Sequence, residues 1–492
     1  MSAAAETRAR RLTVPAGLVL VIGFGIAHAA AHALWRPLYQ VSDELVYLSI
    51  VQARAVGDDL EGRCIAPPQG RAPIIPVQAK PGFMIGTATQ LTMLCASGVG
   101  DTSLIALRLL QALSLGVSAG CAWALARLLT GNDADALLAG VLVATHPVAA
   151  MYAGGVTPDA WANAFSGIAF LTGTRLLFGR GHWWEGPLLV TSTIGALAWK
   201  DTATFLLVLP LCVLGLRVRE TVRDRKGTML SLTGLMVAVP VLAAAGILWF
   251  RSPYFATEIQ GARPAGPGAW GYALARDLAA QLPTMLTSSW TAIGSFGAST
   301  LTTPPVADAI GIVLVIAGIV GACRRWTGVP RLGAVAATWA LCGFLCLIQP
   351  SARQVLLGTV DVHQGRWLLP MLAPVAVLLA CGINGLVREA RLLPLAVVGA
   401  GAAAIASLLA TASYYWEGPD VLRHASLFLR GTSGTIVDDT LVLSTIRHVA
   451  SQVPNYVASL AALTMALGAV TCLHHGVTLL RTGAHVRHTH DR

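Results

Sequence analysis

The sequence predicts an all-α polytopic membrane protein of about twelve transmembrane helices, with interfacial helices in the first extracytoplasmic loop. Three observations predict it. The 492 residues are 55% hydrophobic and only 12% charged, with a mean hydropathy of +0.66, a balance that water-soluble domains do not have. Apolar runs of about 20 residues, enough to cross a hydrocarbon core of about 30 Å, recur along the chain. The basic residues fall in short clusters between these runs, as the positive-inside rule requires. The formal charge of +10 has that origin, and no nucleic-acid partner is implied.

The first run, 14–35, follows Arg8, Arg10 and Arg11, which hold residues 1–13 in the cytoplasm. Ala27-His28-Ala29 and Ala31-His32-Ala33 resemble signal-peptide cleavage sites; cleavage there would still leave Asp43 and Glu44 outside. Further runs are 102–128, 134–153, 157–178, 184–199 (the weakest), 202–217, 229–250, 305–322, 332–349, 367–386, 392–412 and 456–480. The stretch 81–99 is ambiguous, since it contains Thr87, Thr89, Gln90, Thr92 and Ser97. Charge decides it. If 81–99 crossed, the basic clusters at Arg175/Arg180, Arg217 to Lys226, Arg324/Arg325/Arg331, Arg388/Arg391 and from Arg481 onward would all lie outside. It therefore reads as a helix on the outer interface with its polar residues toward water.

The expected organisation is one integral-membrane domain over 1–492. It has a cytoplasmic N-terminus (1–13), extracytoplasmic loops at 36–101, 251–304 and 413–455, and a cytoplasmic tail at 481–492. Shorter exterior turns fall at 154–159, at Lys200-Asp201 and at 350–366. Of the nine cysteines, Cys121, Cys212, Cys342, Cys346, Cys381 and Cys472 lie in apolar runs, where the thiol serves as a small hydrophobe. No CxxC spacing suggests a metal. The tail histidines His485, His488 and His490 read as a solvated tail.

Ionisable residues collect on the predicted outer face. Asp43-Glu44 lies just beyond the first span, where carboxylates near a bilayer are costly unless used. Lys80 opens the interfacial helix. Arg108 sits about 9 Å below the outer end of its span, within snorkelling reach of the interface. Asp159 opens a span, either as an N-terminal acid favoured by the helix dipole or as a site carboxylate. Lys200-Asp201 ends a hairpin, either as a loop salt bridge or as part of a site. Gln364, Arg366 and Trp367 abut another span, as an interfacial anchor or a phosphate clamp. Residues 288–305 are rich in glycine and aromatic residues and read as a re-entrant element, a sugar-stacking loop or plain loop. Taken together, acids and cations beside lipid suit transfer of a sugar from a polyprenyl-phosphate carrier. Cations stabilise the leaving phosphate, and a carboxylate serves as general base toward the acceptor.

The order of these short motifs resembles the GT-C superfamily of membrane glycosyltransferases. It is nearest the polyprenyl-phosphate-sugar-dependent mannosyl- and aminoarabinosyl-transferase type, and it also resembles a bacterial GT-C-like membrane family of unknown function. The motifs are Asp43-Glu44 with Tyr47, Lys80-Pro81, Arg108-Leu109, His146-Pro147, Thr157-Pro158-Asp159, Trp199-Lys200-Asp201-Thr202 and Gln364-Gly365-Arg366-Trp367-Leu368-Leu369-Pro370. The resemblance implies a GT-C-like bundle in the cell (inner) membrane with its active site on the extracytoplasmic face. Asp43 would be the catalytic base, with Glu44 beside it. Lys80, Arg108, Asp159, Lys200, Gln364 and Arg366 would bind the substrate and its lipid phosphate. The partners would be the polyprenyl-phosphate sugar donor, a cell-envelope acceptor (polysaccharide, lipid or protein) and the bilayer. No cofactor is required. A divalent cation is left open but unsupported by the sequence, because the family's Glu-Lys-Pro-Pro is Ala79-Lys80-Pro81-Gly82 here. Two alternatives stay open: a lipid-linked sugar transporter or flippase, and a non-catalytic GT-C-like envelope scaffold.

Overall fold

The computed structural model describes residues 16–35, 47, 81–96, 102–178, 182, 184–224, 267–290, 295–296, 299–300, 320, 330–357 and 365–386. The expected spans 229–250, 392–412 and 456–480 lie outside the described residues, as does 305–322 apart from residue 320. Helix α1 is Ala16–Trp35, α2 Pro81–Ala96, α3 Thr102–Thr130, α4 Asp133–Ala144, α5 Pro147–Ala153, α6 Asp159–Leu177 and α7 Glu185–Trp199. A 3₁₀ helix, Asp201–Leu207, leads into α8 (Val208–Asp224), and α9 spans Pro267–Trp290. Two-residue strands, β1 (Ser295–Phe296) and β2 (Ser299–Thr300), pair antiparallel with Phe296 opposite Ser299. Helix α10 is Pro330–Leu357, and a second 3₁₀ helix, Gly365–Met371, precedes α11 (Leu372–Leu386).

Helices α1 and α3 match the apolar runs almost to the residue. By length and composition three helical stretches among the described residues can cross a membrane: Ala16–Leu34, Leu104–Thr130 and Gly333–Ala352. The expected span 134–153 is not one rod. It breaks between α4 and α5 with a bend of 59°. Pro147 is the cause: it has no N–H to donate, its ring opposes a continuing helix, and it forces His146 toward extended backbone. His146 sits at φ −65, ψ 114. Its Nδ1 accepts the N–H of Ala149 at 3.2 Å, so the ring itself caps the new helix. On the other side of the break, His28 Nδ1 of α1 donates to the carbonyl of Ala144 at 2.8 Å, satisfying a carbonyl that α4 leaves open.

The core lies where α1, α3, α4 and α6 meet. Small residues set its spacing. Gly116 and Gly120 of α3 present a bare backbone to Ile22 and Ile26 of α1; a Cβ at Gly116 would lie 2.9 Å from the Ile22 carbonyl oxygen. This is the small-xxx-small contact by which membrane helices approach closely without a hydrophobic drive. Gly154 does the same where α5 ends. A Cβ there would meet the Ala29 oxygen at 2.6 Å and the Ala33 nitrogen at 2.8 Å, both backbone atoms of α1. The outer surface is apolar, with Val19, Leu109, Leu113, Leu341 and Phe344 exposed, as a lipid-facing bundle requires.

The ambiguous stretch 81–99 forms a helix of 16 residues, packed on α3 and α7. Thr89 and Thr92 are exposed as expected, but so is Met93, while Thr87 is buried. Gln90 turns inward and accepts from Gln111 Nε2 at 3.1 Å. Residues 288–290 of the aromatic-rich segment close α9, a helix of 24 residues within the expected exterior loop 251–304.

The Gly154 contact yields a prediction. Gly154→Ala drives a Cβ into immovable backbone and lowers thermal stability by about 1–3 kcal/mol. Gly23→Ala, where nothing lies within 4 Å, is neutral or stabilising by up to about 1 kcal/mol. Thermal unfolding of the two purified variants in detergent checks the contrast.

Candidate functional site

Two helix ends meet at a buried ion pair. Pro158 caps α6 and Asp159 takes its first position, where a carboxylate is favoured by the dipole. The preceding turn is held by Thr157, whose hydroxyl donates to the Tyr152 carbonyl at 3.1 Å. Helix α7 ends at Trp199, and Lys200 is extended at φ −151, ψ 125. Its N–H still closes on the Ala196 carbonyl at 2.8 Å, while its side chain leaves the helix. Lys200 Nζ donates to Asp159 Oδ1, and the side chains are only 5% and 2% exposed. Asp159 is at once the N-terminal acid of α6 and an ion-pair partner, and Lys200 pairs across 41 residues with Asp159. Lys200 also lies near Cys346 of α10.

Other motif-bearing elements converge here. Trp199, next to Lys200, packs against Gly86 of α2, where a Cβ would lie 3.1 Å from the ring. The helix that Lys80 immediately precedes is thus docked beside Lys200. Trp161 of α6 stands 6.4 Å from Trp199, ring centre to ring centre. The Gly365–Met371 helix, which carries Arg366 in its first turn, packs on α6, α5 and α9. Asp43, Glu44, Lys80 and Gln364 lie outside the described residues.

Arg108 departs from its expected snorkelling position. It is fully buried, and its Nη1 donates to the Ala33 carbonyl at 3.0 Å. A guanidinium on the last turn of α1 satisfies an orphan carbonyl and complements the negative end of the helix dipole. The segment it anchors runs on toward Asp43-Glu44. A second ion pair, Arg175 Nε with Glu185 Oε1 at 2.6 Å, ties the end of α6 to the start of α7 at their opposite junction. Among the described residues no group of three or more His, Cys, Asp or Glu is placed to hold a metal ion.

The sequence reading missed Asn163 and Trp161. Asn163 follows Asp159 by four residues and so shares its helical stripe. It is 9% exposed, and its Oδ1 meets no hydrogen-bond partner among the described residues. The i, i+4 spacing from Asp159 was the available signal.

Comparison with known proteins bears on this stretch directly. Residues 84–243, about a third of the chain, match the family model described as dolichyl-phosphate-mannose-protein mannosyltransferase. The matched segment holds Arg108, Asp159 and Lys200 with the helices that carry them. A comparison with curated proteins finds no match. Among solved structures, ArnT from Cupriavidus metallidurans bound to undecaprenyl phosphate aligns at 15% identity and TM-score 0.48, covering 94% of this chain and 77% of that one. The apo form of ArnT aligns at 15% and 0.41, covering 88% and 72%. The arabinosyltransferase EmbB from Mycobacterium smegmatis aligns at 16% and 0.43, covering 94% and 42%. The chain is a polytopic helical membrane protein.

The buried pair generates a second prediction. Lys200→Met leaves Asp159 buried without its partner and costs about 3–5 kcal/mol. The double replacement Asp159→Leu with Lys200→Met recovers most of that stability, because an apolar pair of similar volume removes both desolvation penalties. Tm measurements on the single and double variants decide it.

Proposed function

We propose that this protein transfers a sugar from a polyprenyl-phosphate donor to a cell-envelope acceptor on the extracytoplasmic face of the cell membrane. One observation carries the reading: the segment that matches a lipid-phosphate-mannose transferase family is the segment whose helix ends bury the Asp159–Lys200 pair. Charged side chains kept dry inside a membrane bundle are expensive, and their usual justification is chemistry on a polar or charged substrate.

In this reading Asp43 accepts the proton of the acceptor hydroxyl as it attacks the anomeric carbon, and Glu44 orients the acceptor. The C–O bond to the phosphate breaks, and the leaving lipid phosphate takes up the developing negative charge. Lys80, Lys200, Arg366 and Gln364 stabilise that phosphate. Arg108 contributes by fixing the end of α1, and so the start of the segment that bears Asp43. No nucleotide enters the reaction, since the lipid phosphate is itself the leaving group.

The reading is tested by Asp43→Asn in membranes supplied with a polyprenyl-phosphate sugar. Loss of a general base lowers transfer about 10²- to 10⁴-fold, with the protein still accumulating in the membrane. Undiminished transfer overturns the role of Asp43. Orientation is tested separately, in a background lacking the nine native cysteines. An impermeant maleimide applied to intact cells labels Ser42→Cys and leaves Thr228→Cys unlabelled. The reverse pattern places Asp43 in the cytoplasm and ends the proposal.

A further inference from the structure

Helix α8 changes character along its length. It is apolar over 208–216 and then continues through Arg217, Arg219, Glu220, Arg223 and Asp224. Packing orients the apolar half. Leu209 is fully buried and Val213 only 1% exposed. A Cβ on Gly173 of α6 would lie 2.5 Å from Leu209 and 3.5 Å from Leu189 of α7. In contrast, Leu211 is 51% exposed, and nothing lies within 4 Å of a Cβ placed on Gly215. Leu211 and Gly215 mark the row of α8 that faces away from the bundle.

Charge is sorted by sign along these rows. Residues four apart share a row of a helix, so Arg219 and Arg223 continue the row of Leu211 and Gly215. The acids do not. Glu220 and Asp224 fall seven and eleven residues after Val213, two and three turns on, and continue the packed row. Arg217, four residues after Val213, shares that packed side and stands one turn before Glu220, which offsets it. The outward row therefore ends in two cations and no acid, and the sequence runs on into Arg225-Lys226. A topology signal needs only a count of positive charge beside a span. It does not need the signs to be separated across the helix, whereas contact with an anionic surface does.

Depth agrees with the sorting. Leu189 and Leu209 both stand beside Gly173, which lies in the half of α6 remote from Asp159. From that common level Trp184 is five residues away, about 7.5 Å, and Arg219 is ten residues away, about 15 Å. Trp184 is 45% exposed and stacks on His182, with ring centres 6.1 Å apart and planes 9° from parallel. An exposed indole at a span's end marks the membrane surface. Arg219 is then about 7–8 Å beyond that level, within the headgroup layer, and Arg223 is one turn further.

We infer that the outward row of α8, through Arg219 and Arg223, binds the headgroups of anionic phospholipids in the leaflet opposite the Asp159–Lys200 pair. A guanidinium meets two phosphate oxygens at once with its planar fork. Gly215, one turn before Arg219, leaves open space for the upper part of the acyl chains of the same lipid. The inference concerns lipid contact at the far end of the bundle and does not depend on the transferase reading.

The test uses the full-length chain in neutral detergent, titrated with phosphatidylglycerol or phosphatidylcholine, and affinity is read from the rise of Tm with lipid concentration. The wild type binds phosphatidylglycerol more tightly, and the preference shrinks as salt is raised. Arg219→Gln lowers the affinity for phosphatidylglycerol about fivefold, and the double variant Arg219→Gln with Arg223→Gln about 30-fold. Affinity for phosphatidylcholine is unchanged in both. Without lipid both variants keep the wild-type Tm, because the outward row packs on nothing. Arg217→Gln removes the same charge from the packed row and has the smaller effect on phosphatidylglycerol. Equal affinity of the wild type for the two lipids overturns the inference. So does an equal loss in Arg217→Gln and Arg219→Gln, which would make the effect one of net charge alone. Glycerol phosphate, which has the phosphate without the acyl chains, leaves Tm unchanged at the same concentration. A rise equal to that with phosphatidylglycerol identifies a free-phosphate site and overturns the lipid assignment.

Discussion

The pairing of Lys200 with Asp159 is the constraint around which the described part of the molecule is arranged. An ammonium and a carboxylate cannot stay ionised in a dry bundle unless each answers the other. Meeting that condition fixes three things at once. Helix α7 must end at Trp199 so that Lys200 can leave it. The turn 154–158 must deliver Asp159 to the first position of α6. The two helices must lie side by side along their length, as Gly195 against Phe165 and the Arg175–Glu185 bridge ensure. The aromatic contact of Trp199 with Trp161, and of Trp199 with Gly86, then carries α2 to the same junction.

Close approach of backbones supplies the rest of the frame. Helices α1 and α3 have no hydrophobic reason to prefer each other to lipid. They associate because Gly116 and Gly120 remove the side chains that would hold them apart. With the axes close, Arg108 of α3 reaches the last turn of α1 and closes on Ala33. A residue that the family resemblance makes a phosphate ligand therefore has a prior structural duty.

How much of this was legible in the sequence follows from what each feature depends on. The boundaries of α1 and α3 depend on local hydropathy, and 14–35 and 102–128 came within two residues of Ala16–Trp35 and Thr102–Thr130. The break at His146 was also written in the chain, as Pro147, but a continuous apolar run masked it: hydropathy measures burial and is blind to a missing N–H. The partner of Lys200 was not legible. Asp201 adjoins it and Asp159 is 41 residues away, and only the packing of α6 on α7 makes the distant one the neighbour. Asn163 was hidden for a related reason. One amide in an alanine-rich helix reads as a tolerated polar residue, and its significance appears only once its oxygen is seen to be buried without a partner. The Asp43-Glu44 pair stands apart, since its reading rests on motif order, and the family match begins only at residue 84.

The polar chemistry gathers at helix junctions for a physical reason. In a membrane bundle every backbone group must be satisfied internally, and only where a helix starts, stops or breaks do carbonyls and N–H groups lack an intrahelical partner. Those are the places where a polar side chain meets a backbone group that needs it, so its desolvation is partly repaid. Arg108 on the end of α1, His28 on the end of α4, His146 at the start of α5 and Asp159 at the start of α6 all follow this rule. Once such a junction is built, adding a further polar residue costs less than it would in mid-span, because the surroundings are already polarised. A site assembled from helix ends is therefore the arrangement that the bilayer least opposes. It also explains why the residues read as functional are scattered in sequence: among the described residues, Asp159 opens α6 and Lys200 follows the end of α7.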